Sequence, residues 1–169
     1  MLEAEGWLRL GKRQISFFPE QTQAFLDWNR GRRAFVCRRL WSGARGLAEG
    51  EPFALTFEKQ FQGTGSQKPG ELRLFYNDTL CRLDKGEWTF VPEKTAQVQN
   101  SVPHTAVLQT SGCRLTFCPF WQQRVGKGTG LFSRQDLSFG YFDGHAQIAG
   151  KHLNLHKLPG FLREEVCIG

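Results

Sequence analysis

The sequence lacks the features that place many proteins in a class at once. No run of apolar residues approaches the roughly 18 that a transmembrane helix needs. The five cysteines are odd in number and scattered, and no two form a C-x-x-C pair, which excludes the common zinc-ribbon patterns. Because a chain of 169 residues can bury a core without disulfides, we expect these cysteines to be reduced thiols.

Motifs for phosphate, metal or catalytic chemistry are also missing. The GKGTG segment at residues 126–130 matches neither the G-x-x-x-x-G-K-[ST] nor the G-x-G-x-x-G spacing, and a loop between strands explains it better. His152 and His156 fall on a predicted strand about 13 Å apart, too far to share one ion. No two acids are placed as a general acid and base. The sequence therefore predicts no metal site and no catalytic residue, favours a protein that is not an enzyme, and leaves any cofactor unknown.

The start of the chain does not resemble a secretory signal. Glu3 and Glu5 stand where a signal peptide has positive charge, and no apolar stretch of the required length follows. We therefore expect a soluble, cytoplasmic protein with no transmembrane segment, folded as a single domain over residues 1–169. The formal net charge is +6 and the pI is about 9.3, which favours an anionic ligand or partner.

Aromatic residues and glycine are abundant. The chain contains 15 Phe, 5 Trp and 19 Gly, a mixture typical of strands joined by tight turns. Alternating apolar residues predict roughly nine or ten short strands, the first over residues 7–18 with a break near Gly11. Ser111-Gly112, Asp143-Gly144 and Ala149-Gly150 predict hairpin turns, and so does the tetrapeptide at residues 84–87.

One segment has the spacing of a helix. Ala24, Phe25 and Trp28 recur at helical intervals after Pro19, which a first helical turn tolerates. The segment at residues 19–29 is therefore predicted to be a short helix. The fold prediction is all-β: an antiparallel meander that closes into a small up-and-down barrel of the calycin or lipocalin-like kind, with this one N-terminal helix. Closure is favoured because it removes exposed strand edges.

Arginine is the most distinctive feature. The segment from Arg30 to Arg45 (RGRRAFVCRRLWSGAR) contains no acid. On a strand, Arg33 and Arg39 fall on one face and Arg38 on the other, with uncharged residues between the two basic ends. That arrangement suits the rim of a barrel, where guanidinium groups bind carboxylate or phosphate and aromatic rings stack on planar groups. The candidate ligand- or anion-binding residues are Arg32, Arg33, Arg38, Arg39, Trp41, Trp88 and Tyr141.

These residues support two classes of function. The first is a non-enzymatic ligand-binding or carrier barrel for a hydrophobic or planar anionic small molecule. The second is a nucleic-acid-binding or adaptor protein that presents the Arg-rich strand at residues 30–45 to nucleic acid or to an acidic protein surface. An enzyme whose residues converge only in three dimensions is a third alternative. The sequence does not decide whether the barrel interior is filled or hollow.

Overall fold

In the part of the chain that the structure describes, all of the regular secondary structure is β-strand. The structure, a computed structural model, describes residues 2–19, 22–24, 36–62, 70–90, 105–129 and 131–168. Its strands are β1 (Leu2–Glu3), β2 (Gly6–Leu10), β3 (Arg13–Phe17), β4 (Gln23–Ala24), β5 (Val36–Ala48), β6 (Glu51–Gln62), β7 (Gly70–Tyr76), β8 (Thr79–Phe90), β9 (Ala106–Thr110), β10 (Cys113–Thr129), β11 (Leu131–Ile148) and β12 (Lys151–Ile168). The all-β prediction is confirmed.

The chain divides into two units, Met1–Arg32 and Arg33–Gly169. In the first unit, β2 and β3 form an antiparallel hairpin that turns at Gly11-Lys12, so the predicted break near Gly11 is a hairpin turn. The short strands β1 and β4 pair with each other. A single domain over residues 1–169 stays a prediction.

The predicted N-terminal helix is wrong where the structure describes it. Gln23 and Ala24 pair with Glu3 and Leu2 as antiparallel strands, and residues 20–21 and 25–29 lie outside the described part. A helix of about three turns is marginal by itself, and its backbone groups are the same ones that a paired strand uses. Pairing with β1 therefore overrides the helical spacing. Within the described residues, no helix is both long enough and apolar enough to cross a membrane.

The second unit contains a closed antiparallel barrel of eight strands. Each strand from β5 to β12 pairs with the next one along the chain, and β12 returns to pair with β5. The predicted antiparallel meander that closes into a barrel is therefore confirmed. Closure leaves no unpaired edge strand in the barrel.

The two ends of the barrel differ. One end, here called the turn end, carries four two-residue turns at residues 49–50, 77–78, 111–112 and 149–150. The predicted turns at Ser111-Gly112 and Ala149-Gly150 are confirmed there. The connections at the other end, residues 63–69, 91–104 and 130, lie outside the described residues. We call that end the mouth.

Two predicted turns are wrong. Asp143-Gly144 lies inside the continuous strand β11, where a bulge interrupts the pairing with β12. Gly144 has a φ of +142° and its Cα faces the backbone of Arg114, so a bulge next to a neighbouring strand explains the glycine. Residues 84–87 likewise lie within β8. There, a Cβ on Gly86 would be 2.8 Å from the ring of Phe57, so close packing explains that glycine.

Aromatic and aliphatic side chains fill the barrel from the turn end upward. Side chains alternate between the interior and the surface, as the pattern of β7 shows. The rings of Phe117 and Phe142 are fully buried and lie 4.8 Å apart. The largest fully buried side chains are Phe53, Phe57, Phe117, Phe142, Leu55, Leu72, Leu74, Leu108, Leu115, Ile148 and Leu153. This part of the interior is a packed core.

Candidate functional site

A cavity of about 490 Å³ lies above this core, at the mouth of the barrel. β5, β10, β11 and β12 continue past the packed core toward this end, and their inward positions change from apolar to polar. Arg38, two positions before the buried Leu40, and Asp136, two positions before Ser138, are examples of this change. The cavity is lined by Arg38, Gln122, Arg124, Arg134, Asp136, Ser138, Leu162, Glu164 and Val166.

A chain of ion pairs crosses the cavity. Arg38 Nε donates to Glu164 Oε1 at 2.6 Å, and Glu164 Oε2 lies 3.7 Å from Arg134 Nη2. Arg134 Nε in turn lies 3.2 Å from Asp136 Oδ2. Arg124 donates to Asp136 through Nε at 2.6 Å and through Nη2 at 3.4 Å. The network links β5, β10, β11 and β12 through their inward side chains.

Positive charge exceeds negative charge among the described residues that line this cavity. Three guanidinium groups face two carboxylates, Asp136 and Glu164, which leaves one positive charge in excess. The hydrogen bond and the charge of Asp136 raise the pKa of Arg124 above its ordinary value, so this group stays charged. The side chain of Arg124 is 61% exposed, so its guanidinium remains accessible to a ligand.

Some polar atoms at this site have no hydrogen-bond partner in the described structure. Gln122 Oε1 is buried and accepts no hydrogen bond, and the buried Arg134 Nε is ion-paired with Asp136 at 3.2 Å but makes no hydrogen bond of good geometry. Ser42 Oγ, inside the barrel opposite the cavity residue Leu162, is a third such atom. Leaving a buried donor or acceptor unsatisfied costs about 1–3 kcal/mol. A ligand that bonds to these atoms would recover that energy.

The cavity also has apolar surface. Leu162 and Val166 contribute an aliphatic wall from β12. On β6, the ring of Phe61 lies beneath the Arg38 guanidinium, whose central carbon is 5.0 Å from the ring centroid. The site thus combines charged donors with surface for a hydrophobic or flat group.

The structure separates the site residues that the sequence predicted. Among those whose side chains the structure describes, Arg38 alone lines the cavity. Arg39 lies on the outer face, where Nε donates to Glu58 at 3.0 Å and the guanidinium stacks on Trp41 at 5.6 Å. Tyr141 is also outside, with its ring 5.2 Å from that of Phe120.

The structure does not describe the side chains of the other three predicted residues. Arg32 and Arg33 lie outside the described residues. For Trp88 the structure describes the backbone only, which pairs with Leu108 across β8 and β9. As binding residues, all seven therefore remain predictions.

Sequence reasoning missed most of the cavity. The lining residues on β10 are Gln122 and Arg124, and those on β11 are Arg134, Asp136 and Ser138. The available signal was alternation: positions 134, 136 and 138 continue the inward face but carry polar side chains. An inward face that becomes polar marks the place where a core gives way to a site.

The cysteines and histidines form no such cluster. Among the described residues, no group of three or more His, Cys, Asp and Glu side chains could hold a metal ion. Cys113 is buried and Cys118 exposed, on opposite faces as their odd spacing predicts. Burial raises the pKa of the Cys113 thiol to about 12. This thiol is therefore neutral at physiological pH and is a core residue.

Residues 1–167 match the family DUF2804, described as a domain of unknown function. The chain belongs to the DUF2804 family. It matches no curated protein and no solved structure. For this DUF2804 domain, function must therefore be inferred from the geometry of the barrel mouth.

Proposed function

We propose that this DUF2804 domain is a ligand-binding barrel that holds a small organic anion in the cavity at its mouth. The observation that carries the proposal is the convergence of three arginine side chains, Arg38, Arg124 and Arg134, on one cavity. Guanidinium groups bind carboxylate and phosphate through paired N–H bonds. The side chain of Arg124, which is 61% exposed, supplies accessible donors for such a group.

The dimensions of the cavity favour a compact ligand. Its volume of about 490 Å³ lies within the range of small-molecule sites. The rings of Phe117 and Phe142 fill the interior nearer the turn end, so a long acyl chain has no space to extend in that direction. A planar or short apolar body against Leu162 and Val166, with its anionic group toward the arginines, fits the cavity better. Carrier barrels of the lipocalin-like kind hold ligands in the same part of the fold, which supports the proposal by analogy.

We propose binding rather than catalysis because of the chemistry of the lining. Arginine stays protonated at any physiological pH, so it positions and neutralises anions but does not exchange protons. The two carboxylates, Asp136 and Glu164, already accept bonds from arginine. A role on nucleic acid or an acidic protein would instead use the outer face, where Arg39 is paired with Glu58.

Adjacent arginines on opposite faces allow a matched test. Arg38 and Arg39 are neighbours in sequence and each is paired with a glutamate, but only Arg38 lines the cavity. Native mass spectrometry of the wild-type chain, Arg38→Gln and Arg39→Gln, all purified in the same way, compares their bound small molecules. We expect the wild type and Arg39→Gln to carry a co-purifying organic anion and Arg38→Gln to have lost most of it.

Two results would overturn this proposal. If Arg38→Gln and the wild type carry the same amount of the organic anion, the cavity at the mouth is not its binding site. Loss of an anionic partner in Arg39→Gln, with binding kept in Arg38→Gln, would assign binding to the outer face and favour nucleic acid or an acidic protein. Circular dichroism of each variant establishes that the barrel is intact, so the comparison concerns binding alone.

A further inference from the structure

Two cysteines meet where the barrel closes. Cys37 lies near the start of β5 and Cys167 near the end of β12, and the two residues are directly opposite in the antiparallel register. Their neighbours Arg38 and Val166 line the interior cavity, so alternation places both cysteines on the outer face. Both cysteines are half-buried.

This placement meets the geometric needs of a disulfide. Directly opposed residues of an antiparallel pair have Cα atoms about 4.5 or 5.5 Å apart, and their side chains lie on the same side of the sheet. Disulfides span Cα separations of about 4.4–6.8 Å. A bond between Cys37 and Cys167 therefore requires side-chain rotation but no change of strand register.

We infer that Cys37 and Cys167 form a reversible disulfide that joins the first and last strands of the barrel when a disulfide oxidant such as oxidised glutathione is present. One thiolate attacks oxidised glutathione and releases one reduced glutathione. The second thiolate then displaces the remaining glutathione from the mixed disulfide. Two electrons and two protons pass from the cysteine pair to the two glutathione molecules, which balances the reaction.

The register of the described strands gives the other cysteines no such partner. Cys81 lies opposite Leu74, and Cys118 lies opposite Tyr141. Cys113 is buried between Thr110 and Ala146. The bond is thus expected at one position, even though Cys118 is the more exposed thiol.

The position gives the bond a structural consequence. It would close a loop that contains the whole barrel, and long closed loops restrict the unfolded chain most. It would also fix the spacing of β5 and β12 at the mouth, beside Arg38 and Val166. The oxidised protein should therefore be more stable than the reduced protein, and this effect does not depend on the identity of any ligand.

Peptide mapping under non-reducing conditions tests the inference directly. The folded wild-type chain is incubated with oxidised glutathione, its free thiols are alkylated, and its peptides are analysed by mass spectrometry. We expect one cross-linked pair that contains Cys37 and Cys167, lighter by two hydrogens than the separate peptides and released by dithiothreitol. The melting temperature should rise by at least about 5 °C on oxidation and return on reduction.

Variants provide the controls. Cys37→Ser and Cys167→Ser should lose both the cross-link and the thermal shift, whereas Cys118→Ser should keep both. The inference fails if the wild-type map shows only separate glutathione adducts on Cys37 and Cys167, or if the main cross-link includes Cys118. The peptide map of the wild type needs no variant, so a variant that folds poorly would not obscure the result.

Discussion

Gly144→Ala tests the bulge in β11, because this substitution should lower stability more in a bulge against a neighbouring strand than in an open hairpin turn. Gly144 has a φ of +142°, and a Cβ at this position would overlap the carbonyl oxygen of Arg114 and lie 3.1 Å from Leu115 Cα. Backbone atoms of a paired strand cannot move aside as a flexible side chain can. The overlap should add about 1–3 kcal/mol to a backbone cost of about 1–3 kcal/mol.

Gly150→Ala is the matched control. Gly150 also has a positive φ, +81°, but a Cβ there meets no atom within 4 Å. Its substitution should cost only the conformational term, about 1–2 kcal/mol. The midpoints of these costs are about 4 kcal/mol for Gly144→Ala and about 1.5 kcal/mol for Gly150→Ala. At about 2–4 °C per kcal/mol for a domain of this size, we expect the melting temperature to fall by about 8–16 °C and by about 3–6 °C, respectively.

Thermal and urea denaturation, followed by tryptophan fluorescence and far-ultraviolet circular dichroism, measure both variants. A cost for Gly144→Ala no larger than that for Gly150→Ala would refute the bulge and restore Asp143-Gly144 as an open turn. A cost at least about 2 kcal/mol larger supports the strand contact with Arg114.

Further predictions concern the core. Phe117→Ala removes a fully buried ring that lies 4.8 Å from the ring of Phe142, and it should lower the free energy of unfolding by about 3–5 kcal/mol in urea denaturation. Phe120 is 63% exposed, so Phe120→Ala should change stability by less than about 0.5 kcal/mol. Similar costs for the two variants would contradict the assignment of Phe117 to the interior and Phe120 to the surface. Burial raises the pKa of the Cys113 thiol to about 12, above that of an unfolded thiol, so the unfolded chain loses this proton first as pH rises from about 9. Between about pH 9 and 11 the wild type should therefore lose more stability than Cys113→Ala, and equal slopes would place this thiol in water.

The architecture could be inferred from the sequence because barrel strands show alternating hydrophobicity and are joined by tight turns with recognisable residues. Ser111-Gly112 and Ala149-Gly150 carry the whole turn in two residues, so local signals suffice. The turn predictions at Gly144 and Gly86 were wrong because glycine occurs in turns, in bulges and at positions of close packing alike. Only the neighbouring strand or ring distinguishes these uses, and that neighbour is distant in sequence.

The candidate site was less accessible from the sequence, for a related reason. The cavity assembles inward positions of β5, β10, β11 and β12, and pairing across the closed barrel decides which arginines meet. The dense cluster at residues 30–45 contributes only Arg38 to it among the described residues. Arg124 and Arg134, which come from a part of the chain with ordinary charge density, each contribute one guanidinium group to the cavity, as Arg38 does.

The central claim, that the mouth binds an organic anion, is tested most directly by the charge dependence of binding. The probe is 1-anilinonaphthalene-8-sulfonate, a planar apolar anion whose fluorescence is titrated at low salt against the wild type, Asp136→Asn and Arg134→Gln. The excess charge of the lining is +1 in the wild type, and these variants change it to +2 and to zero. At the effective dielectric of a partly exposed site, one charge is worth about 1 kcal/mol, or about fivefold in Kd. We predict tighter binding by Asp136→Asn and weaker binding by Arg134→Gln; equal affinities in all three proteins, or the opposite order, would contradict the account.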